Sequence, residues 1–207
     1  MFSDRTEAGR LLARALHAAM TPDALVLGIP RGGVIVAAEV ARLLALDLDI
    51  VVVRKIGAPN DPEYAVGAVD ENGAIIGGAY AEDDAYLMRA AAAAREEIGR
   101  RMEVYRGDRA RPRVAGRDVA VVDDGIATGL TVQAAVRSLR ARGATRVIVA
   151  APVASAEAAR ELAGVADDVI VLDIPDAFGA VGAFYRDFAQ TADAEVVAAL
   201  REAWARK

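Results

Sequence analysis

The chain has no cysteine, one histidine and few aromatic residues. Without thiols there can be no disulfide framework, thiolate metal centre or cysteine nucleophile. His17 alone cannot build a histidine zinc site or a recurrent histidine relay. Aromatics make up only 5% of the 207 residues, against a hydrophobic share of 55%. One large domain spanning 1–207, or one domain with a small appendage, is expected, with helices packed closely through alanine and aliphatic side chains. The formal charge of −5 speaks against a general nucleic-acid binder, although net charge leaves room for a local cationic pocket. Apolar runs such as "DALVLGI" are too short to span a bilayer, and the opening "MFSDRTEAGR" does not read as a signal peptide. The expectation is a soluble, cytoplasmic protein with neither nucleic acid nor membrane as partner.

Several nucleotide-site motifs are also missing. No GxxxxGK[ST] loop occurs, and the glycine spacing of a dinucleotide fingerprint is absent. A phosphoacceptor receiver domain would need a further acid and a lysine on later strands, and "VIVAAPVA" supplies neither.

What is present is a regular alternation. Residues 4–19 read as a helix through Ala8, Leu12, Leu16 and Ala19, capped by Ser3 or Asp4. "ALVLGI" (24–29) is a short buried strand, "PRGG" (30–33) a turn, 34–46 a helix and "LDIVVVRK" (48–55) a second strand. Strand, loop, helix and strand in this order form a βαβ unit. Residues 56–69 break the rhythm with two prolines and two glycines, and a hairpin is expected to turn at Asn72-Gly73. A long helix over 81–108 has its acids early and arginines late, as the helix dipole favours. After the linker 109–118 a second series begins at Val119: strand, "DDGIATG" loop, helix, strand, short helix, strand. The loop 176–190 holds three of the four phenylalanines, and a last helix covers 193–205. The sum is an α/β fold with a five-stranded, mostly parallel sheet flanked by helices, plus a small hairpin subdomain.

In open α/β sheets, ligands sit beyond the carboxyl ends of the strands. Three conspicuous loops leave those ends: "PRGG", "RKIGAP" and "DDGIATGLT". In the last, Gly125 and Gly129 permit tight turns, Thr128 and Thr131 offer hydroxyls, and the loop runs into a helix N-terminus. Converging backbone N–H groups there suit a phosphate. Asp123 and Asp124 would repel that phosphate, so they call for sugar hydroxyls or a divalent cation. Arg31 on its tight turn, and Arg54 and Lys55 at a strand end, supply cations for a pyrophosphate. Each feature also has a structural reading: a capped loop, an ordinary turn, snorkelling cations.

Taken together, "VAVVDDGIATGLT", "GIPRGG" and "VVVRKIGAP", in this order, resemble the type I phosphoribosyltransferases. The chain is most similar to the small bacterial, provisionally named phosphoribosyltransferases whose acceptor is not assigned. The resemblance implies that the fold is theirs, with a mobile loop and hairpin over 56–80 and a hood-like loop over 174–192. It implies that Asp123 and Asp124 hold the ribose 2- and 3-hydroxyls directly or through Mg²⁺, and are thus the metal residues. The segment Gly125 to Thr131 would hold the 5-phosphate through the amides of Ala127, Thr128, Gly129, Leu130 and Thr131. Pro30, Arg31, Gly32, Arg54 and Lys55 would face pyrophosphate, and Pro30-Arg31 would be a non-proline cis peptide. The implied activity is transfer of the 5-phosphoribosyl group between 5-phosphoribosyl 1-pyrophosphate (PRPP) and a nitrogenous base, with Mg²⁺ and within a homodimer. Glu63 is a candidate for handling the base nitrogen and Phe178 for stacking on the base. Ala127 stands where 6-oxopurine enzymes carry a third acid, and "VIVAAPVA" lacks their lysine. "RKIGAP" is similar to a segment of adenine enzymes. The acceptor stays open. A non-catalytic PRPP- or nucleotide-binding regulator with the same fold is the alternative.

Overall fold

The computed structural model describes residues 1–59, 61–76 and 85–206, without the side chains of 61–66 and 76. Helix α1 (Arg5–Leu16) starts where the Asp4 carboxylate accepts from the Glu7 N–H, and it buries Ala8, Gly9, Leu12, Ala13 and Leu16. Strand β1 (Leu25–Gly28) is buried throughout. Helix α2 (Gly32–Leu44) and strand β2 (Asp47–Ile50) complete the first βαβ unit. Strands β3 (Val53–Ala58), β4 (Asp61–Asp70) and β5 (Ile75–Ile76) lead to the long helix α3 (Ala85–Arg106). The second series is β6 (Asp118–Val122), α4 (Leu130–Ala141), β7 (Arg146–Val153), α5 (Ala156–Ala163) and β8 (Asp168–Asp173). A 3₁₀ turn at Val181–Phe184 and helix α6 (Asp193–Ala205) close the chain.

The main sheet has the order β2-β1-β6-β7-β8, and every neighbouring pair is parallel. Alternating strand residues feed two separate cores. Val26, Ile50, Ala120, Val122, Ile148 and Ala150 point into the one shared with α1, α2, α3 and α6. Leu25, Leu27, Val119, Val121, Val147 and Val149 point into the one under α4 and α5. Burial on both faces explains why these strands read as unbroken apolar runs. The five-stranded parallel sheet expected from the sequence is therefore present.

The expected strand 48–55 is instead two strands in two sheets. Its pairing with β1 ends at Gly28↔Ile50, because β1 stops where the chain turns into the cis Pro30-Arg31 bond. With no partner left beyond it, Val53 pairs with Asp70 in an antiparallel ladder. Residues 56–69, whose prolines and glycines argued against regular structure, belong largely to this ladder. Ala58 pairs with Asp61, and register shifts fall beside Gly57. The result is a three-stranded sheet, β3-β4-β5. Its second turn lies at Asn72-Gly73, as expected. Gly73 has φ +79°, and the Asp70 carboxylate accepts from the N–H groups of Asn72 and Ala74, both at 2.9 Å.

A buried ionic cluster docks this small sheet on the rest. Arg106 at the end of α3 donates to Asp49 of β2 at 2.7 and 3.0 Å. Its guanidinium lies 3.7 Å from Glu71, which follows β4. Arg142, just past α4, pairs with the same Glu71, and Ser138 of α4 donates to Asp70 at 2.7 Å. Side chains of Arg106, Asp49 and Glu71 are at most 4% exposed. Paired in this way the charges link β2, α3 and α4 to the end of β4.

Candidate active site

Strands β1 and β6 end side by side, since Leu25–Gly28 runs parallel to Val119–Val122. The chain after β1 stays close: the Ile29 N–H donates to the Val122 carbonyl at 2.9 Å. Asp123 and Asp124 follow Val122 directly, and the Asp123 carboxylate accepts from the Asp124 N–H at 2.9 Å. Gly32 and Gly33 are glycines because the acids leave no room. A Cβ on Gly32 would sit 1.9 Å from the Asp124 Oδ2, and one on Gly33 would sit 2.9 Å from the Asp123 Cα. The "PRGG" turn is thus packed against the acid pair.

A cavity of about 470 Å³ opens beside this junction. Its walls include Pro30, Arg31, Gly32, Arg54, Lys55, Asp123, Asp124 and Thr131. Eight of the residues singled out from the sequence are therefore brought together. Valines 51 to 53, the bridge between the two sheets, form an apolar wall. The rest of the 125–131 loop lies next to the cavity but outside its wall. Gly125 packs on Val181, with no space for a Cβ. Ala127 and Thr128 are exposed, and Ser155 donates to the Ala127 carbonyl at 2.7 Å. Gly129, at φ +73°, precedes α4, whose first turn has no side-chain cap, and Leu130 begins the helix. Phe178 is not part of the cavity wall; its ring stacks on Phe184 at 5.6 Å. Glu63 falls within β4, and its side chain lies outside the described residues.

Three further residues were not singled out from the sequence. Arg101 of α3 joins Arg31, Arg54 and Lys55 on the cavity wall. Its neighbour Glu97 accepts from Arg101 and Arg100, both at 2.8 Å. These two hydrogen bonds hold the Glu97 carboxyl down at about 2. Arg5 of α1 donates to the Asp124 Oδ2 at 2.7 Å. Tyr185 donates its hydroxyl to the Asp124 carbonyl at 2.6 Å. Burial first, and the Asp124 charge second, push the Tyr185 hydroxyl upward. The arginine-rich end of α3 was a visible signal for Arg101. Nothing local announced Arg5, which reaches its partner across 119 residues of chain.

The acid pair is electrostatically loaded. Burial pushes the Asp123 carboxyl well up, the adjacent Asp124 charge pushes it further, and the Asp124 N–H and Arg5 oppose them. Arg31 sits 3.9 Å from Asp193 at the start of α6, and Tyr105 donates to that same carboxylate at 2.6 Å. Among the described residues no group of three or more His, Cys, Asp or Glu side chains could hold a metal ion. Two adjacent carboxylates fit Mg²⁺ nonetheless, because this ion commonly takes one or two carboxylates and completes its shell with water and substrate phosphate. Among the described residues no helix is long and apolar enough to cross a membrane.

An acid pair at a strand end, a glycine-rich loop entering a helix and a cationic turn packed beside them thus stand together at one end of the parallel sheet of an α/β protein. Residues 6–189 match the model of the phosphoribosyl transferase domain, and the chain belongs to that family of enzymes. Provisionally named phosphoribosyl transferases from two strains of Mycobacterium tuberculosis are 45% identical to it over 98% of this chain. The chain spans about half of their length, 47%. A crystal structure from Thermus thermophilus is 47% identical, with a TM-score of 0.89, covering 97% of this chain and 98% of that one. An Aquifex aeolicus protein, 11% identical with a TM-score of 0.53, covers 86% of this chain and 78% of its own and shares the fold alone.

Proposed function

We propose that the protein is a Mg²⁺-dependent phosphoribosyltransferase that moves the 5-phosphoribosyl group between PRPP and a nitrogenous base. One observation carries this reading: two carboxylates and four cations, Arg31, Arg54, Lys55 and Arg101, line one cavity beyond β1 and β6. The acid pair would hold the ribose 2- and 3-hydroxyls, directly or through Mg²⁺. The loop from Gly125 to Thr131 would hold the 5-phosphate at the start of α4. Arg31, the Gly32 backbone, Arg54 and Lys55 would face pyrophosphate, with Arg101 beside them. Bound Mg²⁺ would supply charge neutralisation for the departing pyrophosphate.

As the anomeric C–O bond breaks, pyrophosphate leaves with the electron pair, and the four cations stabilise its growing charge. A base nitrogen forms the new bond at the anomeric carbon and loses its proton, for which Glu63 is the candidate acceptor. The 57–66 stretch would close over the site and shield the oxocarbenium-like state from water. Phe178, stacked on Phe184, would meet the base only at the edge of the 174–192 loop. The small parallel-sheet fold and the net charge of −5 suit a cytoplasmic enzyme acting on small molecules.

The test is pyrophosphate release with PRPP, Mg²⁺ and a panel of nitrogenous bases. Release above background with at least one base is expected. No release with any base, alongside tight PRPP binding, would leave a PRPP- or nucleotide-binding regulator as the account. Asp124→Asn should weaken PRPP binding at least about tenfold by calorimetry, because it removes a charge-assisted contact, whereas Glu7→Gln should not. The working unit is proposed to be a homodimer, and light scattering that finds only a 21.6 kDa species would remove that part.

A further inference from the structure

Arg5 touches three parts of the site at once. Its Nε donates to Asp124 Oδ2 at 2.7 Å and its NH1 to the Ala189 carbonyl at 2.8 Å. Its guanidinium stacks on the Phe188 ring, 3.9 Å from the centroid. A Cβ on Gly32 would come within 2.6 Å of its Nε. The segment around it is held by backbone bonds: Phe2 N–H to the Phe184 carbonyl at 2.8 Å, and Asp187 N–H to the Ser3 carbonyl at 3.0 Å. The Arg5 side chain is only 12% exposed, so it is a fixed cation beside the acid pair. It does not line the cavity where the four other cations stand.

A guanidinium beside one of two adjacent carboxylates changes what that pair can bind. The pair alone carries up to two negative charges; with Arg5 it carries at most one net charge. One Asp124 oxygen is already taken by the guanidinium. Coulomb repulsion between a dication held by Asp124 and the guanidinium that shares this carboxylate would lower affinity by about tenfold or more, even with water-like screening.

We infer that Arg5 is a positioning residue that holds Asp124 by one oxygen and keeps the acid pair from capturing a free divalent cation before the phosphorylated donor arrives. This rests on the reading of the cavity as a phosphoribosyl site. Donor phosphate oxygens would supply the charge and ligands that the pair, held by Arg5, lacks. The N-terminal arm and the 184–189 loop are tied to the acid pair through the same side chain.

The test is Mn²⁺ binding to the full chain without donor, read by electron paramagnetic resonance and calorimetry. The wild-type chain should bind Mn²⁺ weakly, in the millimolar range or above. Arg5→Gln should bind it at least about tenfold more tightly, Arg5→Lys should stay near wild type, and adding Asp124→Asn to Arg5→Gln should abolish the gain. Equal affinity of wild type and a folded Arg5→Gln overturns the inference. So does micromolar Mn²⁺ binding by the donor-free wild type, a measurement that stands even where Arg5→Gln fails to fold. Neither readout needs turnover. A chain that releases no pyrophosphate yet gains Mn²⁺ affinity on losing Arg5 would keep this inference and lose the enzymatic reading.

Discussion

Arg101 and Arg100 are adjacent on α3 and both pair with Glu97, yet only Arg101 belongs to the cavity wall. This gives a residue-scale control. Arg101→Gln should weaken binding of inorganic pyrophosphate at least about tenfold and reduce its salt dependence, since a charge-assisted contact is lost. Arg100→Gln should change it less than about twofold, because an exposed ion pair contributes little. Calorimetry at two salt concentrations reads both. Equal losses would mean that Arg101 acts only through the Glu97 cluster and not on the ligand. The same scale sets the limit of what the sequence could tell. Asp123, Asp124 and Arg31 were legible because each ends a strand or begins a turn, and strand ends are where ligands gather. Arg5 and Tyr185 were not, because their contacts with Asp124 depend on how distant segments fold back.

The elements of the main sheet were legible for a simple reason. Strands buried on both faces are short apolar runs, and the helices between them keep a 3.6-residue period; α6 was expected at 193–205 and occurs there. The split at Val51 and Val52 was not legible, because an apolar strand that changes sheets looks like one that continues. Near the split stands a polar cluster whose members are mostly remote in sequence: Asp49, Glu71, Arg106 and Arg142. The element-scale prediction follows from that cluster. Arg106→Leu leaves Asp49 and Glu71 buried without their shared cation, and should lower stability by about 3–5 kcal/mol. Urea denaturation measures it. A loss below about 1 kcal/mol would show that the small sheet docks through its apolar contacts, Ile56 and Val69 among them, rather than through this cluster.

At the scale of the whole molecule, α3, α6 and the "PRGG" turn meet at one carboxylate. Tyr105 donates to Asp193 at 2.6 Å, and Arg31 lies 3.9 Å from the same group. Burial, and then the Asp193 carboxylate, push the Tyr105 hydroxyl from 10.0 up to about 12. The folded state therefore holds this proton more tightly than the unfolded chain does. Its contribution is fully present below about pH 10 and is lost as pH rises towards about 12. Its size, discounted for the partly exposed partner Asp193, is on the order of 1 kcal/mol. Tyr185 is displaced in the same direction, so the wild-type chain should lose stability in alkali through both hydroxyls. Tyr105→Phe should be somewhat less stable at pH 8, and its deficit should shrink between pH 10 and 12 as the wild type loses the bond that the variant never had. Thermal unfolding of the two proteins across that range gives the difference directly. A deficit that stays constant with pH would show that the tie between α3 and α6 rests on ring packing and not on the proton shared with Asp193.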